Sequence, residues 1–246
     1  MIRAVFFDAA GTLFDSREPV GHVYARIARE FGLDASDAAV TAGFRRAFAN
    51  SGGLAFGPGH APDELRRLER DWWRRLVARS FEGLGSFADF DAFFDRLFAH
   101  FANPANWVAD AEAKPLLLAL KQRGMTVGVV SNFDHRVYRI LDGLGLTNLF
   151  DSITISSEAG YAKPGRELFL TALGRHGLAP GEAIHVGDSE QLDVAGANAV
   201  GMTAILIDRE NPAHKTTQGS ELSGDLPVRI SSLAQVLGLT QKLQSA

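Results

Sequence analysis

Five short apolar runs, near 2–8, 126–131, 152–156, 183–188 and 203–208, alternate with helical patterns near 110–123, 134–145, 165–177, 189–200 and 232–239. This alternation constrains the fold more than any other feature. Strands joined by helix-length crossovers lie parallel, and a parallel sheet needs helices on both faces. The order breaks once, after the first run. Residues 16–105 hold 11 of the 17 Phe and no Lys; the first Lys in the chain is Lys114. In that block Val20, Val23, Tyr24, Ile27 and Phe31 recur at helical spacing, as do Phe90, Phe93, Phe94, Leu97, Phe98 and Phe101. The Phe stripe reads as helix-bundle core rather than a cofactor box. The expected plan is an α/β core from 1–15 and 106–246, interrupted by a helical insert at 16–105. Hinges fall near 14–19 and 103–110, where Asp, Ser, Asn and Pro collect. A Gly/Pro loop at 50–62 is the part of the insert expected to face a substrate.

Composition excludes several classes. Of the 246 residues 46% are apolar, enough for a sizeable core, and 22% are charged. A net charge of −4 gives no bulk attraction to nucleic acid. The Arg- and Trp-bearing run 64–79 reads as a helix with Leu65, Leu68, Trp72 and Leu76 inward and its arginines solvated. No cysteine is present, so disulfide and thiolate chemistry are out. No segment resembles a signal peptide, and no apolar run approaches the ~20 residues that span a bilayer. The expectation is a cytoplasmic protein with a small-molecule substrate and neither a nucleic-acid nor a membrane partner; oligomeric state is not legible.

In an open parallel sheet, ligands bind beyond the carboxyl ends of the strands. The first run ends in Asp8, followed by Ala10-Gly11-Thr12. The second ends in Ser131-Asn132. The third leads to Ser157-Glu158 and then Lys163-Pro164. The fourth gives Gly187-Asp188 and, five residues on, Asp193. Converging at one edge, these residues suit phosphoryl transfer. Carboxylates and a main-chain carbonyl can hold Mg²⁺, which prefers hard oxygen ligands. Ser131 and the amides opening the next helix can bind phosphate oxygens. Lys163 can neutralise phosphate and nucleophile together. Asp8 can attack phosphorus to give an aspartyl-phosphate that water hydrolyses. Asp193 reads equally well as a first-turn acid of its helix. His185, inside a strand, reads as buried; His22 and His60 read as exposed; Asp15 reads as a hinge residue.

These four motifs, in this order, resemble the haloacid dehalogenase superfamily of hydrolases over essentially the whole chain. The insert after the first strand resembles its C1-type helical cap. Glu18-Pro-Val-Gly21, SNFDHR, SEAGYAKP and HVGDSEQLDVAGANAVGM further resemble one subgroup of that superfamily. The resemblance implies a Rossmann-like α/β core and a Mg²⁺ cofactor. It implies Asp8 as nucleophile and metal ligand, with Ala10 giving only its main-chain carbonyl to the metal. Asp188 is then a metal ligand, and Asp193 a ligand or a support for one. Ser131 binds phosphate with Asn132, Gly11 and Thr12 around it, and Lys163 bridges phosphate and nucleophile. Glu158 is expected to orient Lys163.

Phosphatases of this superfamily usually carry a second Asp where Ala10 stands, to protonate the leaving group. General acid–base assistance contributes about 10²–10⁴-fold, or roughly 3–5 kcal/mol of barrier. Three enzymatic readings follow. A phosphonate hydrolase also has Ala here but needs a cap lysine, and 16–105 has none. A 2-haloacid dehalogenase lacks the second Asp too, but has a small polar residue in place of Asp188. A Mg²⁺-dependent phosphatase without its general acid would act on substrates with good leaving groups. A phosphate-ligand binding protein is the non-enzymatic alternative.

Overall fold

The computed structural model describes residues 1–209 and 228–245. Six strands form one sheet: β1 (Ala4–Phe7), β4 (Thr126–Ser131), β5 (Ser152–Ile155), β6 (Ala183–Gly187), β7 (Thr203–Ile207) and β8 (Val228–Ile230). Their order is β5-β4-β1-β6-β7-β8 and every neighbouring pair is parallel. All residues of β1 and β6 are buried, as expected for central strands covered on both faces. One face packs on α5 (Ala113–Gln122), α6 (Arg136–Gly143) and α10 (Gln235–Ser245), through Val5, Phe7, Leu117, Val129 and Ile140. The other packs on α8 (Arg166–Gly174) and α9 (Ala195–Val200), through Phe6, Val130, Phe169 and Ala197. A single short turn, α7 (Ser156–Ala159), follows β5. The sheet is the α/β core that the alternation predicts. β8 was not anticipated, because three residues carry too little pattern to be read as a strand.

Helices α1 (Val20–Glu30), α2 (Asp37–Ala49), α3 (Pro62–Ser80) and α4 (Phe90–Ala102) follow β1. Their starts are written in the sequence. The Ser36 hydroxyl accepts from the Ala39 amide at 3.2 Å, and the Asp89 carboxylate from the Ala92 amide at 3.0 Å. Pro62 opens α3, with Asp63 and Glu64 in its first turn. The four helices bury a cluster of their own around Val23, Ile27, Phe81, Phe93 and Leu97. The face of α3 differs from the expected stripe. Glu69, Trp72, Leu76, Val77 and Ser80 are buried, while Leu65 and Leu68 are only half-buried. The rotation brings Glu69 inward to meet His135, as described below.

Both connections between these helices and the sheet are structured. β2 (Phe14–Ser16) and β3 (Trp107–Ala109) pair antiparallel, with Phe14 opposite Ala109 and Ser16 opposite Trp107. The two segments expected to be hinges therefore form one two-stranded ribbon.

Candidate active site

The chain leaves β1, returns at β4 on one side, continues to β5, then crosses to β6 on the other side. The reversal opens a crevice beyond the carboxyl ends of β1, β4 and β6, where ligands of open α/β sheets bind. Asp8, Ser131 and Asp188 stand at those three ends. A cavity of about 770 Å³ lies there, lined by Asp8, Ala10, Ser131, Asn132, Lys163, Asp188 and Asp193. Seven of the nine residues singled out from sequence share this one space. The other two, Gly11 and Thr12, do not line it. They build the turn behind Asp8.

Lys163 is the centre of the charge arrangement. Its buried Nζ lies 2.7 Å from Asp8 Oδ1 and 2.6 Å from Asp193 Oδ1. Desolvation acts to lower the Lys163 pKa, but the two carboxylates outweigh it and hold the pKa above the ordinary value. The Lys163 amide donates to Asn132 Oδ1 at 2.7 Å, and Asn132 Nδ2 donates to the Lys163 carbonyl at 3.0 Å. Asn132 thus pins the lysine backbone beside β4. Asp193 is also fully engaged. Besides Lys163, its Oδ1 lies 2.7 Å from His185 Nε2, and its Oδ2 accepts from the Ser189 amide at 3.1 Å. Burial pushes the Asp193 pKa up; the Lys163 charge and the His185 hydrogen bond override this and hold it far below the usual carboxylate range.

The local backbone makes this reach available. The pattern at 189–200 resolves into a π-helical turn at Glu190–Val194, followed by the short α9. Such wide turns recur at functional sites. This one swings Asp193 back under Gly187, where a Cβ would come within 2.1 Å of the Asp193 carboxyl carbon.

Asp188 faces the same space in a different state. Its oxygens, those of Asp8 and those of Asp193 include a set lying within 4.8 Å of one another. Among the described residues, no basic side chain is within ion-pair distance of Asp188. Desolvation first, then the charges of Asp8 and Asp193, raise its pKa to about 6. Gly11 allows the close approach: its φ is +83°, and a Cβ there would sit 2.3 Å from Asp188 Oδ2. The turn is held from outside by Arg209, which follows β7. Arg209 donates to the Gly11 and Thr12 carbonyls at 2.6 and 2.8 Å and to Asp110 at 2.7 Å. Thr12 is buried, and its hydroxyl has no partner among the described residues.

The helical segment closes the cavity from above. Tyr24, Phe44, Phe48, Trp72, Phe94 and Phe98 line it, and so do Gly52, Gly53 and Leu54 of the Gly/Pro loop. The Phe-rich stripe of α4 is therefore core on one side and cavity wall on the other. The loop docks on the sheet domain: the Ser156 hydroxyl donates to the Leu54 carbonyl at 2.6 Å, and the Gly57 amide to the Gly160 carbonyl at 3.2 Å. A second seam joins α3 to the start of α6. Trp73 Nε1 donates to Asp134 Oδ2 at 2.5 Å, and Glu69 bonds both the His135 amide and its ring. Asp134 takes the Arg136 guanidinium at 2.8 and 2.6 Å, and that guanidinium lies over the rings of Phe98 and Trp73.

Two expectations are corrected here. Glu158 does not orient Lys163; it accepts from the exposed Tyr138 hydroxyl at 2.7 Å, and Asp193 and Asn132 hold the lysine. The first amides of α6 are not offered to a phosphate. Those of His135 and Arg136 donate to Glu69 and Asp134. His185 is buried as expected but also touches Asp193. His22 and His60 lie toward the surface and pair with Asp37 and Glu64. Arg209 and Glu69 escaped the sequence reading because nothing local marks a post-strand arginine or one helical glutamate as inward, and for His185 burial was legible but its contact with Asp193 was not.

The family model of haloacid dehalogenase-like hydrolases matches residues 2–201. The chain is 32% identical to mouse (Mus musculus) haloacid dehalogenase-like hydrolase domain-containing protein 3, over 98% of this chain and 95% of that protein. It is 30% identical to glyceraldehyde 3-phosphate phosphatase of Methanopyrus kandleri, over 85% of each chain. Its fold matches the solved L-2-haloacid dehalogenase of Xanthobacter autotrophicus with a TM-score of 0.71, covering 98% and 99% of the two chains at 20% identity. Placed on the strand ends where the motifs are found, this similarity assigns the chain to the haloacid dehalogenase-like hydrolase family.

Proposed function

We propose that this hydrolase is a Mg²⁺-dependent phosphatase acting on a small phosphorylated metabolite through an aspartyl-phosphate. One observation carries it: Asp8 is held against buried Lys163, while Asp188 crowds the same space without a cation of its own. In this reading residues 16–105 are a cap over a core of 1–15 and 106–246. The donor set fits a hard divalent ion. Asp8, Asp188 and the Ala10 main-chain carbonyl would hold Mg²⁺, with Asp193, already bound to Lys163 and His185, supporting from behind. When bound, the ion would neutralise charge on the transferring phosphoryl oxygens.

An Asp8 oxygen attacks phosphorus, and the bond to the leaving oxygen breaks with its electron pair going to that oxygen. Water then attacks the same phosphorus. The bond to Asp8 breaks, the carboxylate is restored and phosphate departs. Lys163 lies against Asp8 and offsets the phosphoryl charge, and the Asp193–His185 pair fixes Lys163. Ser131 and Asn132, at the end of β4, bind phosphate oxygens, and Gly11 and Thr12 shape the turn beneath them. No step supplies a proton to the leaving oxygen. Among the described residues, the carboxylates lining the cavity are Asp8, Asp188 and Asp193, and no histidine lines it; His185 reaches Asp193 from behind. Lys163 is the one lysine there, which leaves the phosphonate-hydrolase route without its cap amine.

Phosphate release from acetyl phosphate and aryl phosphates, with Mg²⁺ and with a chelator, tests the proposal. Release should require the metal and be abolished by Asp8→Asn. Asp188→Asn should weaken Mg²⁺ binding and lower turnover at least ~10²-fold, a loss of roughly 3 kcal/mol of transition-state stabilisation. Ala10 also suits a dehalogenase. Metal-independent halide release from 2-chloropropionate, without phosphatase activity, would establish that alternative.

A further inference from the structure

The cavity wall opposite the strand ends bears on which phosphorylated molecule fits. Its lining from the helical segment is dominated by Tyr24, Phe44, Phe48, Trp72, Phe94 and Phe98. That part of the wall carries no carboxylate, carboxamide or imidazole. Its polar side chains apart from the indoles are Tyr24, Arg45 and Ser51, and the Ser51 hydroxyl is already bonded to the Phe48 carbonyl at 2.7 Å. Arg136, the other arginine on the lining, is held by both oxygens of Asp134. A sugar or amino-acid phosphate would bury hydroxyl or ammonium groups against rings, leaving them unpaired. A volume of about 770 Å³ lies within the range that takes drug-sized ligands, far more than a three-carbon phosphate needs.

A second, independent observation comes from the reacting end. Ala10 lines the cavity and cannot protonate a leaving oxygen, and in the phosphatase reading the carboxylates on the described lining are committed elsewhere: Asp8 to attack, Asp188 to the metal and Asp193 to Lys163. The substrate must carry a leaving oxygen that departs unprotonated.

Building on the phosphatase reading above, we infer that the natural substrate class is a phosphomonoester of an acidic hydroxyl carried on an apolar, planar body, that is, an aryl phosphate. Its ring lies among the cap aromatics. The phosphorus–oxygen bond breaks with its electron pair going to the aryl oxygen, which leaves as a phenolate and takes a proton from solvent after release.

The chain supplies its own reporter, because all three of its tryptophans, Trp72, Trp73 and Trp107, line the cavity. The test is a tryptophan-fluorescence titration of the Mg²⁺-loaded protein with non-hydrolysable phosphonates. The probes are 2-naphthylphosphonate, methylphosphonate and the polar 3,4-dihydroxybutylphosphonate. The naphthyl probe should change the emission and bind at least ~10-fold tighter than the other two, as burial of its apolar area requires. Phe48→Ala should shrink that preference several-fold. Phe48 is 39% exposed, so its truncation leaves the helical core intact. Equal affinities, or tighter binding of the dihydroxybutyl probe, would overturn the substrate class whatever hydrolysis shows. Failure of the phosphatase reading appears separately, as 2-naphthyl phosphate turnover that survives Asp8→Asn or chelation.

Discussion

In the proposed mechanism Ala10 is the residue on which catalytic scope turns. It sits at the edge of the cavity with room beside it and stands two residues from Asp8. Ala10→Asp should raise turnover of alkyl phosphates, whose leaving oxygen needs a proton. It should change acetyl or p-nitrophenyl phosphate turnover much less. The gain should fall short of the ~10²–10⁴-fold a positioned acid supplies, because no neighbouring group orients the new carboxylate. Parallel steady-state kinetics on both substrate types check this; equal gains would show that the new Asp acts on the metal site instead. At this scale the sequence was legible wherever a residue's role follows from its place at a strand end. Asp8, Ser131 and Asp188 each terminate an apolar run, and Lys163 precedes Pro164 in the turn that leads into α8. Their supports were not legible. Arg209 meets Gly11 across 198 positions, and His185 is one of several buried residues of β6 until Asp193 is folded back onto it. Such pairings are made by the sheet, not by spacing.

At the level of elements, the seam between α3 and α6 explains why the helical segment sits where it does. Asp134 is fully buried and receives Arg136, its own Arg136 amide and Trp73. Burial acts upward on its pKa, but the Arg136 charge and these hydrogen bonds overcome it and hold the carboxyl below the ordinary value. A carboxylate lowered in the folded state stabilises fully above its unfolded pKa of ~3.9, and that contribution is lost as pH falls toward the folded value. Asp134→Asn should therefore destabilise by about 3–5 kcal/mol near neutral pH, since it leaves Arg136 as an uncompensated buried charge. The penalty should shrink as pH falls below ~4, where Asp134 of the unfolded wild-type chain begins to take up a proton while the folded one does not. Urea unfolding of both proteins at pH ~7 and ~3.5 measures it; an unchanged difference would mean that Asp134 does not hold the seam electrostatically. The sequence marked α3 and α4 as helices through their apolar period. It did not mark which face of each meets the sheet, because Glu69 reads as a solvent residue until His135 is opposite it.

For the whole molecule, the strand–helix alternation and the Phe-rich, Lys-free block are visible in the sequence, and the strand order is not, because crossovers of similar length serve several orders. The β2–β3 ribbon is not, because three-residue strands carry no usable period. That ribbon joins the two stretches of chain that flank the four helices, next to the turn that follows Asp8. Among the described residues no helix is long and apolar enough to cross a membrane. The sheet, the inserted helices and the cavity between them converge on one chemical claim, that Asp8 takes the phosphoryl group. It is tested most directly by acid-quenching the Mg²⁺-loaded protein during turnover of acetyl phosphate and mapping its peptides by mass. The account predicts one added phosphoryl group on the peptide containing Asp8, absent in Asp8→Asn. Sustained phosphate release with no label on that peptide, or with the label on another residue, would contradict it.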